Sequence, residues 1–164
     1  MNSKPILAVL IAICTLNLAL TGWLAIDLHS SVKSGAIKEA APLPAELSDS
    51  KRTAIFEQIK ALYNAQDYDG LYAVFAREVQ VQIPKSEFLA SMKKLKDAFS
   101  DIEDGAYSRF ELAGAQGGKS YYNLYYTVRL PKSAISSQGS LKITVAVAEG
   151  KVGIYGIFLN SITR

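Results

Sequence analysis

The stretch Ser120–Leu130, with the sequence SYYNLYYTVRL, decides how the C-terminal half of the chain folds. Aromatic and β-branched residues are frequent in it, and its side chains alternate as in a strand whose two faces meet different surroundings. Three further runs alternate in the same way, at about residues 106–113, 141–148 and 152–162. Short polar or glycine-containing segments separate these runs. The sequence therefore predicts a four-stranded antiparallel sheet joined by hairpins.

The segment just before this stretch, AGAQGGKS at residues 113–120, loosely matches the Walker A pattern of a phosphate-binding loop. A phosphate cradle requires a helix that begins at the lysine, but Lys119 leads into the tyrosine-rich strand. A hairpin turn at Gly117-Gly118 therefore fits this segment better than a nucleotide site does.

Upstream of the sheet, the apolar residues recur with the period of a helix. Residues 49–65 predict an amphipathic helix, Asp67 can cap a second and shorter helix, and Ser86 can cap a third. The run at 79–83 alternates, but Pro84 ends it, so we interpret it as an extended connection. We expect the α+β class, with an N-terminal transmembrane helix followed by three helices packed in a cone-like arrangement on the sheet.

The N-terminal run PILAVLIAICTLNLALTGWLAI, residues 5–26, contains no charged side chain. A helix of roughly 20 such residues can cross about 30 Å of hydrocarbon, so we predict a transmembrane helix at residues 5–27, in contact with membrane lipid. Lys4 precedes this segment, so the positive-inside rule places residues 1–4 in the cytoplasm. The C-terminal domain would then lie in the periplasm or outside, anchored to the inner membrane. A cleaved signal peptide with a weak site at Ala19-Leu20-Thr21 is the alternative.

Residues 28–48 contain small and polar side chains and two prolines, which predicts a juxtamembrane linker before a domain at residues 49–164. The only histidine, His29, and the only cysteine, Cys14, precede that domain. Triads that use histidine or cysteine, and zinc sites, are therefore excluded from it. The net charge of +3 arises from interleaved basic and acidic residues, which gives no basic patch for nucleic acid.

The carboxylates of the domain give no complete site for chemistry. Asp67 and Asp69 resemble part of a calcium-binding EF-hand loop, but alanines stand at two of its ligand positions. Glu111 and Asp97 stay open as acid–base groups, although most inward positions are apolar. We expect no enzyme, no cofactor and no bound metal.

The two faces of the predicted sheet differ in composition. The face expected to pack on the helices comprises Phe110, Leu112, Tyr122, Leu124, Tyr126, Val128, Leu141, Ile143, Val145, Val147, Val152, Ile154 and Phe158. The opposite face is more aromatic than contact with water alone requires. Its candidate binding residues are Tyr107, Tyr121, Tyr125, Tyr155, Ile157 and Leu159, beside Arg109, Asn123, Arg129, Thr144 and Ala146. A protein partner or a second copy could cover this face; simple cross-strand aromatic pairing and a small-ligand cavity are the alternatives.

The segment IFEQIKALYNAQDYDGLYAVF, residues 55–75, resembles the opening helical pair of small bacterial envelope members of the nuclear transport factor 2-like, or cystatin-like, superfamily. The resemblance covers about residues 49–164 and implies helices packed on a curved antiparallel sheet. The layout is also similar to the inner-membrane scaffold subunit of type IV secretion systems, although the last strand lacks that family's proline-containing motif. The superfamily includes enzymes, ligand carriers and interaction modules, so no functional residue is carried over.

These observations predict a single-pass envelope protein whose outer domain is an interaction or scaffold module. Its expected partner is another envelope protein or a second copy of the chain. The alternative function is that of a carrier or sensor for a small apolar ligand, which would occupy the cleft between the third helix and the sheet.

Overall fold

The computed structural model of the chain describes residues 43–133 and 135–162. The predicted cytoplasmic N-terminus at 1–4, the predicted span at 5–27 and residues 28–42 of the predicted linker lie outside these ranges. Within the described ranges, no helix is long and apolar enough to cross a membrane.

Helices precede strands along the described chain, and the strands form one sheet. After a 3-10 turn at Ala45–Leu47 come the helices α1 (Asp49–Asn64), α2 (Tyr68–Ala73), α3 (Arg77–Gln82) and α4 (Lys85–Phe99). The strands are β1 (Asp104–Gln116), β2 (Lys119–Arg129), β3 (Gln138–Ala148) and β4 (Lys151–Ser161). They lie side by side in the order β1-β2-β3-β4, and each neighbouring pair is antiparallel. The predicted α+β class and the antiparallel sheet are confirmed.

The helix α3 corrects the prediction of an extended connection at residues 79–83. Val79 is the one residue of this helix that is buried, at 5% exposure, and it anchors the helix to the core. The amide Nε2 of Gln80 donates to the carbonyl oxygens of Tyr72 at 3.0 Å and Phe75 at 2.9 Å. These bonds hold α3 against the last turn of α2 and the residues that follow it. The described chain therefore has four α-helices where three were expected.

Of the two helix caps predicted at Asp67 and Ser86, the structure confirms the first and not the second. The side chain of Asp67 accepts a hydrogen bond from the backbone N–H of Gly70 at 2.8 Å, which confirms it as the cap of α2. The prediction that Ser86 caps the next helix is wrong, because α4 begins at Lys85 directly after Pro84. Proline holds φ near −65°, so the chain can turn into the helix at this point without a polar cap.

The hydrophobic core lies between the helices and one face of the sheet, which we call the helix-side face. Phe56 of α1 stacks on Tyr126 of β2 with ring centroids 4.9 Å apart, and Phe88 of α4 meets Phe75 edge-on at 5.1 Å. Leu47, within the predicted linker, is fully buried, so packing begins at the 3-10 turn. The largest fully buried side chains are Tyr63, Leu47, Ile59, Leu71, Ile102, Leu124, Leu130, Leu141, Ile143, Leu159, Val128 and Val145.

Candidate interaction surface on the outer face of the sheet

A β-bulge in β1 changes which side chains of that strand face the helices. Tyr107 pairs with Tyr126 and Arg109 pairs with Tyr125, so Ser108 between them has no partner on β2. Because residues that pair across a ladder share a face, Tyr107 belongs to the helix-side face, and its predicted place on the opposite face is wrong. Its ring lies edge-on to Tyr126 at 5.7 Å and under the guanidinium of Arg52 at 4.1 Å.

A second bulge, in β4, has the same effect on two more predicted residues. The register shift between β3 and β4 leaves Tyr155 without a partner, and the strand beyond it changes faces. Ile157 then pairs with Ile143, and Leu159 pairs with Leu141. Both belong to the helix-side face, and Leu159 is only 1% exposed, so their predicted role in an exposed binding surface is wrong.

The β4 bulge also brings in a residue that the sequence pattern assigned to the core. Phe158 pairs with Lys142 and therefore lies on the face away from the helices, where it is half-exposed. Two glycines of β4, Gly153 and Gly156, stand on either side of Tyr155. Glycine inside a strand often marks a bulge, so these residues are the signal that could have located Phe158 correctly.

We call the face of the sheet away from the helices the outer face. The three tyrosines Tyr121, Tyr125 and Tyr155, all predicted here, lie on it and are half-exposed. Of the six predicted binding residues, these three are thus brought together and the other three are not. Other members of the outer face include Arg109, Glu111, Lys119, Asn123, Thr127, Arg129, Lys142, Thr144, Ala146 and Phe158.

One polar cluster at the β1 side holds Tyr125 in place. Its hydroxyl donates to Oε2 of Glu111 at 2.7 Å, and the guanidinium of Arg109 lies 4.0 Å from its ring centroid. Arg109 also pairs with Glu111 at 3.2 Å. The hydrogen bond from Tyr125, assisted by Arg109, lowers the pKa of Glu111, so the group is an anion at neutral pH. A carboxyl group that acts as a general acid at neutral pH would need the opposite shift. Asp97, the other carboxylate left open, is exposed on α4.

A second cluster fixes Tyr155 at the β4 side. The ammonium of Lys119 donates to the hydroxyl of Tyr155 at 2.8 Å and also pairs with Glu78 of α3. The hydrogen bond to Glu78, and after it the bond to Tyr155, raises the pKa of Lys119, so the lysine stays charged. The ring of Tyr155 lies edge-on to Tyr121, with centroids 5.2 Å apart. Edge-to-face pairs of this kind add about 0.5–1.5 kcal/mol beyond the area that they bury.

The Walker A-like segment is a hairpin turn, as predicted. Gly117 and Gly118 join β1 to β2 with φ of 57° and 73°, a left-handed conformation that glycine adopts without strain. Lys119 is the first residue of a strand and not of a helix. The segment therefore lacks the helix N-terminus that a phosphate site requires.

The middle of the outer face is polar, and its far edge is aromatic. The hydroxyl of Thr144 donates to Oδ1 of Asn123 at 2.8 Å, across the β2–β3 ladder. The ammonium of Lys142 lies 5.5 Å from the ring centroid of Phe158. Each aromatic ring of the outer face therefore contacts a cation or another ring, and such cation–ring contacts contribute about 0.5–1 kcal/mol at exposed sites.

Three acidic side chains near the helices bind their own neighbours. Asp67 caps α2, Asp69 pairs with Lys85 at 2.6 Å, and Asp101 pairs with Lys96. In the ranges that the structure describes, no cluster of three or more potential ligand residues could hold a metal ion.

The alternative function places a small ligand between α4 and the sheet. Phe88, Met92, Leu95 and Phe99 are all buried on its inner side. An open groove of about 530 Å³ lies elsewhere, at one end of the sheet, and is lined by Asp104, Gly105, Ala106, Thr127, Val128, Arg129 and Gln138.

A scan against protein-family models found no match, and a search of the curated proteins returned no relative. The resemblance of the chain to the nuclear transport factor 2-like superfamily accordingly stays a prediction from its sequence.

Proposed function

We propose that this chain is a membrane-anchored interaction module of the bacterial envelope, and that the outer face of its sheet binds another envelope protein. The observation that carries the proposal is the set of half-exposed aromatic rings at Tyr121, Tyr125, Tyr155 and Phe158, gathered on one face. Protein interfaces are enriched in tyrosine, phenylalanine and arginine, and this face contains all three.

The rings also have the rigidity that favours binding. Tyr125 is held by Glu111 and Arg109, and Tyr155 is held by Lys119 and by the ring of Tyr121. A side chain that is already fixed loses little conformational entropy when a partner covers it. Ordering a free side chain instead costs about 0.5–1.5 kcal/mol, so prior fixation supports tighter binding for the same area.

The charges on the outer face indicate what the partner presents. Arg109, Lys119 and Lys142 lie among the aromatic rings together with the carboxylate of Glu111. A second carboxylate of this face, Asp104, pairs with Arg129 at its end. A surface with aromatic or aliphatic side chains and some carboxylates would complement this arrangement. The predicted anchor at residues 5–27 would keep both proteins at the same membrane and raise their effective concentration.

The proposal is tested by co-purification of the full-length chain with a C-terminal tag from gently solubilised membranes. The variants Tyr121→Glu and Phe158→Glu place a charge on the outer face. The matched control is Val81→Glu, where the side chain is 79% exposed and belongs to the helix α3 and not to a strand of the outer face. We expect a discrete partner with the unaltered chain and with V81E, and at least tenfold less of it with Y121E or F158E, a loss of about 1.4 kcal/mol or more.

Two results would contradict the proposal. The same partner could be retained by all three variants, which would place its binding site elsewhere. Alternatively, the chain could be purified without any protein partner but with a small apolar molecule, identified by mass spectrometry, which would favour the ligand-carrier function.

A further inference from the structure

The strand β1 forms an edge of the sheet that no other described element pairs with. Its only ladder is with β2, and each of its 13 residues is exposed or half-exposed. Two of its apolar side chains, Phe110 and Leu112, lie on the helix-side face, yet Leu112 is 48% exposed and Phe110 is half-exposed. An edge of this kind presents unpaired N–H and C=O groups beside apolar side chains, which is a template for another strand.

Two bulges limit the part of β1 that a straight strand could pair with. The register with β2 shifts at Ser108 and again at Ala113, so the regular segment is Arg109–Leu112, with the sequence RFEL. Bulges twist an edge away from a neighbour and discourage long-range pairing. A partner strand must therefore match this short segment, and its side chains decide the fit.

The segment complements itself in one register only. Two copies can pair their β1 edges antiparallel about a two-fold axis perpendicular to the sheet. Residues that are directly opposite each other must then lie on the same face. The axis must therefore lie where a residue is opposite its own copy, and not between two residues. An axis at Arg109 or at Glu111 would place like charges directly opposite each other. An axis at Leu112 would pair only Leu112 within the regular segment. An axis at Phe110 places Arg109 of each copy opposite Glu111 of the other, and the two phenylalanines face each other.

We propose that two copies of this chain associate through their β1 edges, antiparallel and about a two-fold axis at Phe110. Each copy contributes one Arg109–Glu111 pair to the other, so two ion pairs form on the outer side of the joint. The guanidinium of Arg109 carries five N–H donors, which allows it to bind the partner's carboxylate while it keeps its contact with its own Glu111. On the helix-side face, the exposed parts of Phe110 and Leu112 become covered.

The pairing would double the four strands to eight and make the two outer faces continuous. The inference does not rest on the function proposed above, because Tyr155 and Phe158 lie on β4, at the opposite edge of the sheet. A partner protein could bind those residues in either oligomeric state.

Charge reversal tests the register. In the R109E variant the edge of each copy presents two carboxylates, and in E111R it presents two guanidinium groups. We expect the full-length chain in detergent micelles to sediment as a dimer and each variant alone to associate at least tenfold more weakly. An equimolar mixture of the two variants should recover a dimer with one chain of each kind, because every opposing pair is then of opposite charge.

The mixture also separates lost association from lost folding, because a misfolded variant could not rescue its counterpart. The control K151E reverses a charge at the exposed β3–β4 turn and should leave the dimer unchanged. A full-length chain that is monomeric at all concentrations would overturn the proposal. So would a dimer that withstands both single reversals, or variants that do not associate when mixed although circular dichroism shows both to be folded.

Discussion

The two central strands of the sheet and its two edge strands follow the same sequence pattern but differ in regularity. β2 and β3 pair with each other without any register shift, and inward and outward residues alternate along both. β1 and β4 each contain at least one bulge, at Ser108 and Ala113 in β1 and at Tyr155 in β4. A bulge is tolerated at an edge because only one ladder must adjust to it, whereas a central strand would break two.

This difference explains which face assignments hold and which fail. All of the assignments made for β2 and β3 are correct, and so are those for Val152 and Ile154, which precede the bulge of β4. In β4 the wrong assignments, at Ile157, Phe158 and Leu159, follow the bulge. In β1 the wrong assignment, at Tyr107, precedes the bulge, and the correct ones at Phe110 and Leu112 follow it. A side-chain period of two therefore holds on one side of an unpaired residue but not across it.

The largest expected effect is the difference in stability between deleting one residue from an edge strand and deleting one from a central strand. Deletion of Ser108 removes the bulged residue and joins Tyr107 directly to Arg109 in a regular register, so we expect a loss of only about 1–2 kcal/mol in unfolding free energy. Deletion of Asn123 in β2 moves one half of a central strand onto the wrong face in both ladders. We expect that variant to lose more than about 4 kcal/mol or to fail to fold.

Chemical denaturation of the full-length chain in detergent, followed by circular dichroism, measures both deletions. Equal losses would show that the bulge at Ser108 is not a removable insertion, and the explanation of the face errors would then fail.

How much the sequence could predict depends on whether a local residue marks the irregularity. The hairpin at Gly117-Gly118 and the cap at Asp67 were predictable because glycine and aspartate act there through their own backbone preferences. The bulge at Tyr155 has a signal in its flanking glycines. Ser108 has none, because an exposed serine fits a regular strand and a bulge equally well.

The helix α3 shows a different limit of predictions from the spacing of apolar residues. The order VQVQ places apolar residues two apart, which suits a strand, but only Val79 reaches the core and Val81 is 79% exposed. Tertiary packing against α2, and the bonds of Gln80 to its carbonyls, decide for a helix. Those contacts connect residues of different elements and leave no periodic trace in the sequence.

The neighbouring residues Phe158 and Leu159 give the next largest effect and test the corrected faces of β4. Leu159→Asp buries a carboxylate where the side chain is 1% exposed, so we expect a loss of about 3–5 kcal/mol. Phe158→Asp puts the carboxylate on the half-exposed outer face beside Lys142 and should cost about 1 kcal/mol or less. Denaturant midpoints of the two variants measure the difference, and a larger loss for F158D would reverse the face assignment.

The smallest effect is a change of stability at high pH that comes from a central strand. Burial raises the pKa of Tyr126 from 10.0 to about 12, so the folded protein holds the phenolic proton more tightly than the unfolded chain does. The stabilisation from this group is complete below about pH 10 and is lost as the pH rises towards 12. It amounts to roughly 2–3 kcal/mol.

Plotted against pH, the unfolding free energy has a slope proportional to the number of protons lost on unfolding. Between about pH 10 and 12, Tyr126→Phe should remove the contribution of one proton from that slope. The variant starts from a slightly lower stability, because the hydrogen bond from its hydroxyl to the backbone oxygen of Arg52 is lost. An unchanged slope would show that this tyrosine titrates alike in the folded and unfolded states.

The most direct test of the outer face as a binding surface is site-specific photo-crosslinking in living cells. A photoreactive phenylalanine analogue is placed at Phe158 on the outer face and, in a matched control, at Val81 on α3, which is more exposed. We predict one discrete adduct with an envelope protein from position 158 and none from position 81. No adduct from position 158, or the same adducts from both positions, would contradict the proposed function.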